Sequence, residues 1–223
     1  MDYLERIKEL LVNITPVILM SLRVSISSTL IASAAGISLG IPVALKTFKL
    51  KKLLIRITDT LMSMPPVLMG LLVYLLLSKS GPLGSLKLLF TPTAMIISQS
   101  LLIFPIVFGL TVSYFSKSAP EIRKVCLALG AENRDIYLTI IREGKSYILS
   151  IVALAFGRAI SEVGAVMMVG GNIKGYTRVM TTYIALETGK GSFSDAIVIG
   201  CILLSISFLI NYYLNKIKED KEA

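Results

Sequence analysis

The sequence predicts an all-α fold: a polytopic helical membrane protein of about five transmembrane helices, with a helix–Gly–helix loop on the cytosolic side. Three observations carry this expectation. The 223 residues are 54% hydrophobic with a mean hydropathy of +0.77, well outside the range of a soluble domain. The apolar residues gather into stretches close to the roughly twenty residues that a bilayer core requires. Lys and Arg concentrate between those stretches, most of them in the 46–56 turn, the 116–146 segment and the C-terminal tail.

Composition also excludes several classes. There is no His, and Cys126 and Cys201 lie in different environments, one polar and one apolar. Neither a disulfide framework nor a transition-metal site is expected, and no cofactor is implied. The net charge of +9 is spread between apolar spans and makes no basic face, so no nucleic-acid role is needed.

In chain order, residues 1–20 carry Leu4, Ile7, Leu11 and Ile14 at helical spacing, with Glu5, Lys8 and Glu9 opposite. This predicts an N-terminal amphipathic helix at the membrane interface, in contact with lipid. Residues 21–223 form the transmembrane domain, with a first span at 22–45 closed by Lys46, Lys49, Lys51, Lys52 and Arg56. Ala32-Ser33-Ala34 imitates a signal-peptidase site, but the apolar run continues past it and cleavage is not expected. Gly36 and Gly40 make a small-residue face for close helix approach, within one subunit or between two. Further spans are expected at about 55–78, 92–115, 147–169 and 195–214. Pro65-Pro66 and Pro105 remove backbone donors inside two of them, so both helices should kink or unwind, for packing or to line a pathway. Five crossings with the basic segments inside put the N-terminus outside and the C-terminus in the cytoplasm.

The segment 116–146 is a charged island between apolar spans. Ser118 with Glu121 reads as a capping box, and Pro120 suits a first turn. Ile122, Val125, Cys126 and Leu129 repeat at helical spacing, which predicts a helix over about 119–129. Gly130 is placed to end it in a left-handed conformation, and Asn133 to cap a second short helix carrying Ile136, Tyr137, Ile140 and Ile141.

Deep in the fourth span, Arg158 and Glu162 are four residues apart, which on a continuous helix lets them face one way and neutralise each other. An intramembrane charge pair either orients the helix or serves a pathway, and Ser161 belongs to the same candidate path. Beyond it come Gly170, Gly171, Asn172 and Gly175, then Thr177, Arg178, Thr181 and Thr182. Convergent backbone N–H groups and hydroxyls suit a loosely held tetrahedral oxyanion, and the same composition suits a flexible outer loop.

The 116–146 island resembles the coupling loop of ATP-binding cassette importer permeases. That signature has Glu-Ala-Ala, a Gly six residues after its Glu, an Ile ten further on, and Leu-Pro beyond. Gly130 and Ile140 match, Lys124, Val125 and Cys126 stand in for Glu-Ala-Ala, and Arg142 and Glu143 replace Leu-Pro. The stretch 156–193 is similar throughout to the oxyanion permeases of this superfamily (molybdate, tungstate and sulfate), most closely to the tungstate type. The resemblance implies a cell-membrane subunit importing an oxyanion, and two cytosolic ATPase subunits docked on 119–141 through Glu121, Gly130, Ala131, Asn133, Arg134 and Ile140. It also implies an extracytoplasmic oxyanion-binding protein at the outer loops. A homodimer is expected because five helices offer too few polar positions to enclose a channel. The subunit itself should not be an enzyme: Gly144-Lys145-Ser146 echoes a phosphate-binding loop, but the pattern's first glycine would fall at Thr139. A secondary carrier should show an inverted repeat, and a lipid-acting membrane enzyme a cluster of Asp, Glu or His at one interface; neither is visible.

Overall fold

The computed structural model describes residues 3–219, and those residues form helices joined by short turns. The first helix, α1 (Tyr3–Leu45), is continuous for 43 residues, about 65 Å, with Pro16 and Pro42 inside it. The expected division near residue 20 is therefore absent: Ser21 returns its hydroxyl to the Val17 carbonyl at 2.8 Å and the helix runs on. The amphipathic face expected over 4–14 falls mainly on side chains outside the described set. Arg23 is exposed about 33 Å along the helix from Leu45, so the stretch between them matches one hydrocarbon thickness.

The second span is two helices, α2 (Lys51–Met62) and α3 (Pro66–Leu77), meeting at 100° around Pro65-Pro66. A short 3₁₀ turn at Gly84–Leu86 follows. Helix α4 (Pro92–Ala128) then runs 37 residues without a break. Pro105 lies inside the helix without unwinding it. One expectation fails here: no new helix starts near 119, because Ser118 donates to the Tyr114 carbonyl at 3.1 Å as an ordinary helical residue. Helix continuation wins over a local cap because starting a new helix means a fresh nucleation cost. At about 55 Å, α4 exceeds the roughly 30 Å hydrocarbon core, and its charged end must project beyond the membrane.

After α4 come α5 (Asn133–Glu143) and α6 (Lys145–Ile160), then a break over 161–163 with a 57° bend into α7 (Gly164–Gly170). Helix α8 (Met180–Gly189) arises within the region read as an outer loop, and α9 (Phe193–Glu219) closes the described chain. Among the described residues three helices are long and apolar enough to cross a membrane, or five if each bent pair counts as one span.

The core is layered along α1 and α4. Val73, Leu77, Met95, Val166 and Val169 fill one end, Ala32, Ile103, Val107 and Ala155 the middle, and Phe115, Cys126, Ile136 and Ile140 the end where α1 stops. A Cβ on Gly36 would lie 2.7 Å from Val107 Cγ1, and one on Gly40 2.8 Å from Thr111 Cγ2. The small face of α1 thus seats α4 of the same subunit. A second layer joins Ile14 and Val17 of α1 to Phe156, Met180 and Ile199.

Candidate functional site

Two regions gather the residues singled out by sequence. The first is the hairpin where α4 turns into α5. Its corner is a Schellman arrangement: the Gly130 N–H donates to the Leu127 carbonyl at 3.1 Å and the Ala131 N–H to the Cys126 carbonyl at 3.0 Å. Gly130 has φ +76°, and a Cβ there would meet nothing within 4 Å, so the glycine serves conformation alone. The cap of α5 is Glu132, one residue before the expected Asn133, and makes no side-chain cap bond.

Ile140 and Ile136 are buried against Phe115, Ala119 and Cys126, which locks α5 onto the end of α4. Ile140 is therefore a packing residue of the hairpin. Glu121, Asn133 and Arg134 are exposed, and Ala131 is partly buried at the corner. The expected apolar stripe divides, with Cys126 buried and Ile122 partly buried while Val125 and Leu129 face outward, Leu129 at 80% exposure. Exposed Leu127 and Leu138 add apolar surface to the hairpin, and neither falls on the apolar stripes expected from helical spacing. Gly144 is the joint between α5 and α6, and the space for its Cβ is filled by the Phe115 ring. The glycine of the Gly144-Lys145-Ser146 triplet thus has a packing reason.

The second region is the α6–α7 break. Arg158 and Glu162 are not ion-paired; among the described residues the one salt bridge is Lys190 with Glu187, at 2.8 Å. Because α6 ends at Ile160, the helical register that would align the two is lost. Arg158 is exposed, while Glu162 is buried and accepts the Ala165 N–H at 3.1 Å, fixing the start of α7. The Thr181 hydroxyl donates to the Glu162 carbonyl at 2.7 Å. Gln99 of α4 donates to the Ala159 carbonyl and accepts from Ser28 of α1 at 2.8 Å, so three helices share one buried polar junction. Ser161 is exposed, its hydroxyl bonded back to the Gly157 carbonyl at 2.9 Å.

The segment 170–182 is internally bonded. Gly171 (φ +72°) and Asn172 (φ +50°) turn the chain out of α7. Asn172 Oδ1 accepts from Arg178 Nε at 3.2 Å and from the Thr182 hydroxyl at 3.0 Å, and Thr182 Oγ1 in turn accepts the Val179 N–H at 3.1 Å. Thr177 donates to the Gly170 carbonyl at 2.6 Å, and Arg178 lies over the Tyr183 ring at 5.2 Å. Thr181 and Thr182 are buried; the Thr181 hydroxyl holds the start of α8 to the break, and the Thr182 hydroxyl braces the loop itself through Asn172 and Val179. The groups of this region that remain open to a ligand are Arg158 and Ser161 at the break and the exposed surface around Gly171.

An exposed guanidinium about 20 Å along α6 from Lys145 lies deep within membrane thickness. Facing lipid there is costly, so such a side chain belongs to a water-filled cavity or a protein interface.

Comparison with known proteins agrees with this architecture. Residues 36–217 match the family described as the inner membrane component of binding-protein-dependent transport systems. The chain is 47% identical over 216 residues to the tungstate uptake system permease protein TupB of Peptoclostridium acidaminophilum, covering 95% of both chains. It is 39% identical over 90% of its length to a Haloferax volcanii protein named "Probable anion ABC transporter permease protein", covering 88% of that chain. It is also 41% identical to the TupB of Campylobacter jejuni, over 77% of this chain and 72% of the other. A multi-pass helical chain with α4 carried past the membrane into a glycine-cornered hairpin, matched over this span, belongs to the family of inner membrane components of binding-protein-dependent transport systems: it is a permease subunit of an ATP-binding cassette importer.

Proposed function

We propose that this permease carries a tungstate-type oxyanion into the cytoplasm, as a homodimer around a shared path, with two ATPase subunits docked on residues 119–141 of the hairpin. An extracytoplasmic oxyanion-binding protein delivers the substrate at the far end. The observation carrying the substrate is the 47% identity, over 95% of both chains, to a protein named for tungstate uptake. The geometry supports the rest. The exposed apolar tip at Val125, Leu127 and Leu129 suits burial in a partner. Arg158 is open to a dianion while Glu162 is turned inward to hold α7, and one exposed cation attracts the substrate without a cage of further charges to hold it. The exposed depth of Arg158 favours a second copy facing it across a cavity. Gly170, Gly171 and Asn172, braced by Thr181 and Thr182, form the outer approach. The largely exposed, apolar α9 meets lipid, and five crossings set the N-terminus outside and the C-terminus in the cytoplasm.

Tungstate and molybdate are dianions of nearly the same size, and no residue named here separates them, so the binding protein makes that selection. Radiotracer uptake in cells deleted for this subunit tests the assignment. Loss of tungstate uptake, restored by the plasmid-borne chain, is expected. Loss of molybdate or sulfate uptake with tungstate uptake intact would assign the subunit to another oxyanion.

A further inference from the structure

We propose that the cleft at the root of the hairpin binds the phosphate headgroup of an anionic phospholipid. The cleft has a volume of about 360 Å³ and lies between the end of α1, the start of α2, the projecting part of α4, and α5. Its walls are of two kinds. Leu45, Phe115 and Ile136 make them apolar, while Lys51 and Arg123 supply two cations and Tyr137 a hydroxyl; none of the lining residues is acidic.

The two cations are differently held. Lys51 Nζ donates to the carbonyls of Ala44 at 2.6 Å and Lys46 at 3.2 Å, which caps α1 and fixes the ammonium at the cleft with one donor left over. Arg123 is exposed and has neither an ion pair nor a hydrogen bond, so its five donors are free for a phosphate. Lys46, Lys49, Lys52 and Arg56, all exposed, flank Lys51 in sequence.

The choice of a lipid over a soluble anion rests on what adjoins the cations. Leu50, Leu53 and Ile57 are exposed at i, i+3 and i+7 on and just before α2, an uncovered apolar stripe bordering the basic run. An apolar stripe flanked by Lys and Arg at the end of a span is the signature of a surface that meets anionic lipid. A soluble dianion would satisfy the cations and leave the apolar walls wet. A phospholipid satisfies both, with its headgroup in the cleft and its chains along α2. The cleft shares Asn133, Ile136, Tyr137 and Ile140 with the hairpin proposed to dock the ATPase, while Val125, Leu127 and Leu129 of the exposed tip do not line it, so lipid retention with and without the ATPase subunit bound separates the two roles.

The test is native mass spectrometry of the purified full chain in detergent, titrated with phosphatidylglycerol, phosphatidylcholine or inorganic phosphate. The parent should retain phosphatidylglycerol in preference to phosphatidylcholine. Arg123→Ala should weaken that retention about five-fold, the worth of one basic side chain at an anionic headgroup. Arg123→Lys should keep most of it, and Lys124→Ala, outside the cleft, should leave it unchanged. Three results would overturn the proposal: equal phosphatidylglycerol retention in Arg123→Ala and parent, displacement of the lipid by an equal concentration of inorganic phosphate, or its loss once the ATPase subunit is bound. The second outcome would make the cleft a free-anion site, and the third would make it part of the docking surface. Because Arg123 is exposed, a normal size-exclusion profile is expected for both variants.

Discussion

The Thr181 hydroxyl donates to the Glu162 carbonyl across 2.7 Å, tying the first turn of α8 to the break between α6 and α7. Both residues are buried, and the carbonyl they share lies where α6 has stopped supplying helical partners. Thr181→Val keeps the shape and removes the donor, leaving a buried carbonyl unsatisfied at a cost of about 1–3 kcal/mol. The thermal unfolding midpoint of the detergent-solubilised protein should fall for Thr181→Val and stay close to parental for Thr181→Ser. A parental midpoint in the valine variant would mean that the carbonyl has another partner.

The separation of Arg158 from Glu162 divides stability from transport. Glu162→Gln retains an oxygen that can accept the Ala165 N–H, so unfolding should change little, whereas Glu162→Ala loses a helix-start acceptor worth about 1 kcal/mol. Arg158→Ala removes an exposed, unpaired side chain and should leave unfolding untouched. If the guanidinium meets the substrate, uptake should fall on the order of ten-fold, one charged hydrogen bond's worth. Uptake unchanged in Arg158→Ala would remove Arg158 from the path.

The contrast shows which parts of the fold a sequence can carry. Apolar length predicted a polytopic helical fold, and Gly130 could be read as a corner because a left-handed residue leaves a chemical trace. The start expected at residue 119 failed because Ser118, Pro120 and Glu121 are a local signal, while the helix already running through 110–117 has nothing to stop it. The break at 161–163 was hidden for the opposite reason. No proline marks it, and it is held by Thr181 and Gln99, residues distant in sequence. Hydroxyls at 177–182 pointed to polar chemistry, yet composition alone cannot tell a side chain that faces a ligand from one that braces a loop.

Close helix approach gives a third expectation. A Cβ on Gly40 would be 2.8 Å from Thr111 Cγ2 and 2.9 Å from its Cβ, with the Phe108 carbonyl behind. Gly40→Val should push α1 off α4 at a cost of about 1–3 kcal/mol or more. Lower resistance to protease in the monomer is the expected readout. Loss of cross-linked dimer with a fully stable monomer would instead put this face at the seam between subunits.

Topology gives a fourth. A reporter fused after Ala223 should be cytosolic and one at Met1 outside, if the bent pairs α2–α3 and α6–α7 each cross once. Both ends on one side would mean that one bent pair enters and leaves by the same face.

The last expectation concerns Gly130, whose φ of +76° is strongly disfavoured for a β-branched side chain. Because nothing lies within 4 Å of its missing Cβ, Gly130→Val creates no clash and acts through the backbone alone. To relieve the strain, the corner must abandon the bonds from Gly130 to Leu127 and from Ala131 to Cys126, which re-aims α5 and moves Leu129 and Tyr137 relative to each other. The spans keep every bond, since the change lies beyond the membrane part of α4. The variant should therefore insert and dimerise normally but lose most co-purifying ATPase subunit and most uptake. Lys124→Ala, on an exposed part of α4, should do far less. Gly130→Ala should fall between them, since alanine tolerates the left-handed region better than valine. If Gly130→Val retains the ATPase subunit and transports at the parental rate, the corner does not transmit force, and the docking role proposed for the hairpin is wrong.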